Sequence, residues 1–145
     1  MSIALAPALS PSATPNPSRA ERLHDLLNRF AVEARAEGTL LGDAQGFLVA
    51  GSDRFDGAEG EAWAAATVEA LTTAAAVQRI TGYRVSPEAS VKLGADQRLF
   101  ATFLPRRGAD EGLTVGVLGT HAPDRKALKA LAEAVREVLD GPRSS

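Results

Sequence analysis

The apolar positions of this chain switch between helical spacing and short continuous runs, and each switch marks an element. Leu23, Leu26, Leu27, Phe30 and Ala34 recur at helical spacing with Arg and Glu between them, behind a Ser18-Arg19-Ala20-Glu21 capping box. Gly38 reads as the residue that closes this first helix. Residues 39–42 and 47–51 are then short apolar runs hinged on Asp-Ala-Gln-Gly, a strand–turn–strand pattern. Within that turn Asp43 can brace the backbone through its carboxylate. Gly46 can supply the positive φ that closes a three-residue hairpin with a bulge. The stretch SDRFDGAEGE breaks the pattern as a polar, glycine-bearing loop and leads into EGEAWAAATVEALTTAAAVQRIT, a second helix free of Gly and Pro after Gly60. Residues 89–94 and 98–104 flank Ala95-Asp96-Gln97 as a second hairpin, and 113–119 form a further strand. Val91 and Leu93 alternate with Ser90 and Lys92, as in a strand with one wet face. Pro123 sits near the start of a last helix with the stripe Leu128, Leu131, Val135, Val138 and Leu139, which Gly141-Pro142 ends.

The order α-β-β-α-β-β-β-α predicts an α+β fold: a mostly antiparallel five-stranded sheet with helices on its faces. At 145 residues there is room for a single core, placed at 18–140. Residues 1–17, rich in Pro, Ser and Ala, read as a flexible tail, and 141–145 as a short C-terminal one. The tail has no basic n-region, and Pro7 and Pro11 break its apolar start, which argues against a signal peptide.

One element departs from the usual balance. From Ala62 to Gln78 the second helix carries a single charge, Glu69. Trp63, Ala66, Ala70, Leu71, Ala74 and Val77 share an arc that suits packing on the sheet. The rest of the circumference still shows Ala65, Val68, Thr72, Ala75 and Ala76, where a surface helix is normally polar. A helix this short of charge on both sides is expected to be buried twice, and its small residues allow a second helix close approach.

Candidate chemistry changes the picture little. A formal net charge of -2 gives no electrostatic case for nucleic acid or an anionic membrane, and no apolar run is long enough to span one. The absence of cysteine removes disulfides, thiolate nucleophiles and cysteine-ligated metals, and fits a reducing cytoplasm. Neither the Walker phosphate loop nor the dinucleotide fingerprint occurs, so no cofactor is implied. His24 and His121 read as surface histidines without a second ligand at helical spacing. Ser52 and Ser86 lie outside a nucleophile elbow. Asp53, Asp56, Glu59 and Glu61 could surround a hard cation, but Arg54 and Phe55 break the register of a calcium loop. Arg106 and Arg107 form an exposed pair that could touch a partner. A small-molecule sensor would need convergent polar groups in a pocket, and the core offers only Tyr83 and Thr102 as buried polar candidates.

With the element order in hand, the chain resembles the roadblock family, the dynein light-chain and Ragulator-type domains. The resemblance runs from about Arg19 to Leu139. Its most family-like segment is the first hairpin, where Leu41, Asp43, Gly46, Phe47, Leu48, Val49 and Ala50 match Leu-x-Asp-x-x-Gly-apolar-apolar-Val/Ile-Ala. The alanine-rich helix to Ile80 and the closing RKALKALAEAVREVL are also similar to the family, whereas Gly51 stands where a small polar residue is common. The resemblance implies a non-enzymatic dimerisation platform whose second helices pack together and whose third strands pair across a two-fold axis. Ala65, Val68, Glu69, Thr72, Ala76, Val91 and Leu93 are then the candidate dimer contacts. It further implies, as partners, a second copy or another roadblock protein and a small Ras-like GTPase or its regulators. The setting would be bacterial cell polarity or motility in the cytoplasm; an adaptor role is favoured because nothing in the chain looks catalytic, with a GTPase-activating role as the alternative. Bacterial activators of this kind remodel the GTPase's own site, which disfavours a catalytic role for Arg106 or Arg107.

Overall fold

The computed structural model describes residues 17–104 and 112–140. The tail apart from Pro17, the Arg106–Arg107 pair and the Gly141-Pro142 terminus lie outside the described residues. Among the described residues the order is α1 (Arg19–Glu33), β1 (Gly38–Asp43), β2 (Leu48–Gly51), α2 (Glu59–Thr81), β3 (Glu88–Lys92), β4 (Arg98–Phe103), β5 (Leu113–Gly119) and α3 (Arg125–Asp140). A short 3-10 turn, Asp53–Phe55, follows β2. The strands form one antiparallel sheet in the order β2-β1-β5-β4-β3, so β2 and β3 are its edges. The α+β order and the five-stranded antiparallel sheet are those the apolar pattern predicts.

α1 starts where the sequence places it. Glu21 N–H donates to Ser18 Oγ at 3.1 Å, and Ser18 N–H donates back to Glu21 Oε1 at 2.8 Å. The helix ends earlier than Gly38. Arg35 takes the left-handed conformation (φ 58°), while Ala36 N–H reaches Ala31 O at 2.8 Å and Arg35 N–H reaches Val32 O at 3.1 Å. These two bonds satisfy the last carbonyls of the helix. Gly38 instead opens β1, where a Cβ would lie 2.6 Å from Arg54 Cβ and 2.8 Å from the Phe55 ring.

Alternation along the strands sends side chains to two layers. Leu41, Val115 and Val117 join Leu23, Leu27 and Phe30 of α1 and Leu131, Val135 and Val138 of α3 in the larger core. Leu40 and Leu118 point the other way, to Ala64 of α2 and to Phe55. α2 sits close to the sheet because Gly116 makes room. A Cβ there would come within 2.6 Å of Thr67 Oγ1.

This close seat corrects the predicted orientation of α2. Its buried stripe is Gly60, Ala64, Thr67 and Leu71. Of the predicted arc, Leu71 is buried and Trp63, Ala70 and Ala74 are half-buried, but Ala66 and Val77 turn away from the sheet. Ala66 is exposed and Val77 is 53% exposed. Small residues face the sheet because the gap is narrow, so size rather than hydrophobicity selects the face. Two further expectations fail. Phe55, in the loop read as polar, is only 1% exposed and packs against Trp63 with ring centroids 5.7 Å apart. Tyr83, read as a buried polar group, is 70% exposed, and among the described residues the buried polar ones are Thr39, Ser52, Thr67 and Thr114.

Candidate functional site

The first hairpin is closed by its own backbone and one carboxylate. Asp43 Oδ1 accepts from Gln45 N–H and Phe47 N–H, both at 2.9 Å. Asp43 and Phe47 also pair through the backbone, and Gly46 adopts φ 97°. Every acceptor on Asp43 that these bonds describe serves the turn, so the residue works structurally.

The acidic loop does not gather a cation site. Asp53 Oδ1 accepts from His24 and Asn28, Glu59 pairs with Arg54 at 3.0 Å, and Glu61 Oε1 accepts from Leu48 N–H at 3.3 Å. The Arg54 guanidinium holds the Glu59 carboxyl below the usual carboxylate range. Asp53, Glu59 and Glu61 are drawn to separate partners, and among the described residues no three His, Asp or Glu side chains converge on one point.

A cleft of about 560 Å³ lies between the β3–β4 hairpin and α3, lined by Ser86, Glu88, Thr102, Leu104, Arg125 and Leu128 among others. Its two charged groups are turned on each other, Arg125 Nη2 standing 3.7 Å from Glu88 Oε2. Recognition of a polar small molecule needs such groups free to converge on it.

An exposed apolar surface lies on the α2 side of the sheet at the β3 edge, and Phe47 and Val49 at the β2 edge are exposed as well. The register pairs Val91 with Leu99 and Leu99 with Leu118, and Leu118 packs toward α2, so Val91 shares that face. Val91 and, two residues on, Leu93 are both exposed. Glu88, Ser90 and Lys92 on the opposite face are exposed as expected of a wet face, and Val91 stays partly open although α2 packs against β3. On α2 the stripe opposite the sheet runs through Ala65, Glu69, Thr72, Ala76 and Ile80 at helical spacing. Ala65, Glu69 and Thr72 are exposed, while Val68 and Ala76 are half-buried. Thr72 Oγ1 donates to Val68 O at 2.9 Å, which hides its polarity within the helix. Further exposed apolar residues are Val77 and Ile80 within α2 and Tyr83 and Val85 beyond its end, and Ile80 is 84% exposed. These four were absent from the predicted set, although Ile80 continues its helical register.

Compared as a fold, the chain overlays on several solved bacterial structures along most of its length. A Roadblock/LC7 domain from Streptomyces avermitilis matches with TM-score 0.62 and 18% identity, covering 81% of this chain and 98% of that one. This is the roadblock fold. The gliding protein MglB from Thermus thermophilus shares the same roadblock fold with TM-score 0.61 and 17% identity, over 91% of this chain and 98% of that one. Myxococcus xanthus MglB matches with TM-score 0.60 and 15% identity, over 82% of this chain and 95% of that one. Compared by sequence, the chain matches no family model and no curated protein. Among the described residues no helix is long and apolar enough to cross a membrane.

Proposed function

We propose that this chain is a dimeric, non-enzymatic regulator or adaptor of a small Ras-like GTPase complex, acting in the cytoplasm in bacterial cell polarity or motility. The observation that carries the reading is the unpartnered apolar face formed by α2 and β3 on a roadblock fold. In that arrangement Ala65, Val68, Glu69, Thr72 and Ala76 of two copies pack helix against helix, and the β3 strands carrying Val91 join two sheets into one, with Leu93 beside them. Proteins of the same fold support self-association, since one MglB structure with TM-score 0.62 and 18% identity is described as a tetrameric arrangement. The gliding protein from Thermus supports the motility setting.

Co-purification with a small GTPase loaded with GDP or with a non-hydrolysable GTP analogue tests the partner. Capture in one nucleotide state supports the reading, and the absence of binding in both states overturns it. Single-turnover GTP hydrolysis then separates the roles. An unchanged rate identifies an adaptor, and acceleration identifies an activator that works by rearranging the GTPase's own groups.

A further inference from the structure

His24 is placed to do more than decorate the surface of α1. Its Nδ1 lies 2.7 Å from Gly51 O, at the end of β2, and its Nε2 lies 2.8 Å from Asp53 Oδ1, in the turn that leads to α2. A carbonyl oxygen can only accept, and an ionised carboxylate can only accept. A neutral imidazole has one N–H and one lone pair, so in this geometry its lone pair would face an acceptor at hydrogen-bond distance. Only the imidazolium donates to both.

The acceptors are themselves held in place. Asp53 N–H donates to Asn28 Oδ1 at 2.9 Å, and Asn28 Nδ2 approaches Asp53 Oδ1 at 3.4 Å, so α1 grips both ends of Asp53. Phe55 is buried two residues on, and Ser52 Oγ accepts from Thr39 N–H at 3.0 Å. The charges around the ring are acidic. Asp53 and Asp56 face it from the turn, and Glu21 and Asp25 flank it on α1.

We propose that His24 is a protonation-dependent latch, fastening α1 across the β2 edge to the connection that enters α2. When the ring loses a proton, one of its two bonds must open, and the end of β2 and the Asp53–Phe55 turn lose an anchor. The direction of the ring's titration agrees with this geometry. The Gly51 carbonyl, the largest influence, raises the His24 pKa above 6.5; burial, next, opposes it, and the Asp53 and Asp56 carboxylates add to the rise.

Heteronuclear NMR of the ring nitrogens over a pH series, on the full chain and on Asp53→Asn, tests the latch. The expected result is an imidazolium with both nitrogens protonated, titrating above 6.5, whose midpoint falls in Asp53→Asn. A ring that titrates at or below 6.5, or whose midpoint ignores Asp53→Asn, overturns the proposal. Hydrogen exchange at Gly51–Phe55 gives a second readout, comparing the native chain with His24→Gln at each pH. Extra protection in the native chain near pH 5.5 that vanishes near pH 9 supports the latch, because the contribution is present below the unfolded pKa and lost above the folded one. Equal protection of the two chains at both pH values overturns it.

Discussion

At one edge of the sheet β2 runs for four residues, with a register shift against β1 between Leu41 and Gly42. Its start is held by the Asp43 turn, and beyond its end Phe55 plugs the α2 layer while His24 ties the backbone to α1. At the other edge β3 keeps five residues in regular register with β4 and carries exposed Val91, with exposed Leu93 following. A strand edge is a row of unpaired N–H and C=O groups that can template another chain. Short, irregular and covered edges suppress that tendency. The β2 edge is short, irregular and tied down although Phe47 and Val49 beside it are exposed, whereas the β3 edge combines regular backbone with an apolar flank on α2. The contrast teaches that the two edges differ in backbone rather than in apolar exposure: one is short and anchored, the other regular and fit for a partner.

The comparison can be broken from either side. Phe55→Ala removes the plug at the anchored edge, and a cost of about 3–5 kcal/mol is expected for an aromatic truncated in a packed core. Urea unfolding measures it, and a cost under about 1 kcal/mol would mean that the β2 edge is held by something else. Ala65→Arg with Thr72→Arg attacks the other side. Both positions are exposed in one copy, so folding is expected to be preserved. Two buried, unpaired guanidinium groups should weaken self-association by at least about 100-fold, or about 3 kcal/mol. Val91→Lys is milder. It places like charges near the axis between paired strands and should weaken association about fivefold, about 1 kcal/mol, with unfolding of one copy shifted by less than about 0.5 kcal/mol. His24→Gln has the smallest effect and the only one with a pH sign. Because the folded pKa is raised, the native chain's advantage over the variant should be full below about pH 6.5 and fade as pH climbs through the folded value, which denaturation at two pH values checks.

The sheet and its element order were legible because helix, strand and turn are written in local spacing. The Ser18 cap, the Asp43-Ala44-Gln45-Gly46 turn and the apolar runs each span only a few residues. What sequence spacing could not supply was the contact between distant segments. Gly51 and Asp53 lie 27 and 29 residues from His24, so nothing around the histidine announced its acceptors. Phe55 looked like one aromatic in a polar loop because the glycines that admit it belong to other segments: a Cβ on Gly38 or Gly51 would lie within 3 Å of it. α2 was misoriented for a related reason. With apolar residues on every side, periodicity could not choose the sheet face, and the choice fell to Gly116 on a strand far away in sequence. The same shortage of charge nevertheless singled out α2 as the helix whose outer face needs an explanation.

The most direct test of the α2–β3 face is sedimentation equilibrium of the native chain beside Thr72→Arg at micromolar concentration. A mass twice that of the 15.1 kDa chain, falling to the single-chain mass in Thr72→Arg, is the predicted result. A native chain that sediments as one copy, or a dimer that Thr72→Arg leaves intact, would contradict it.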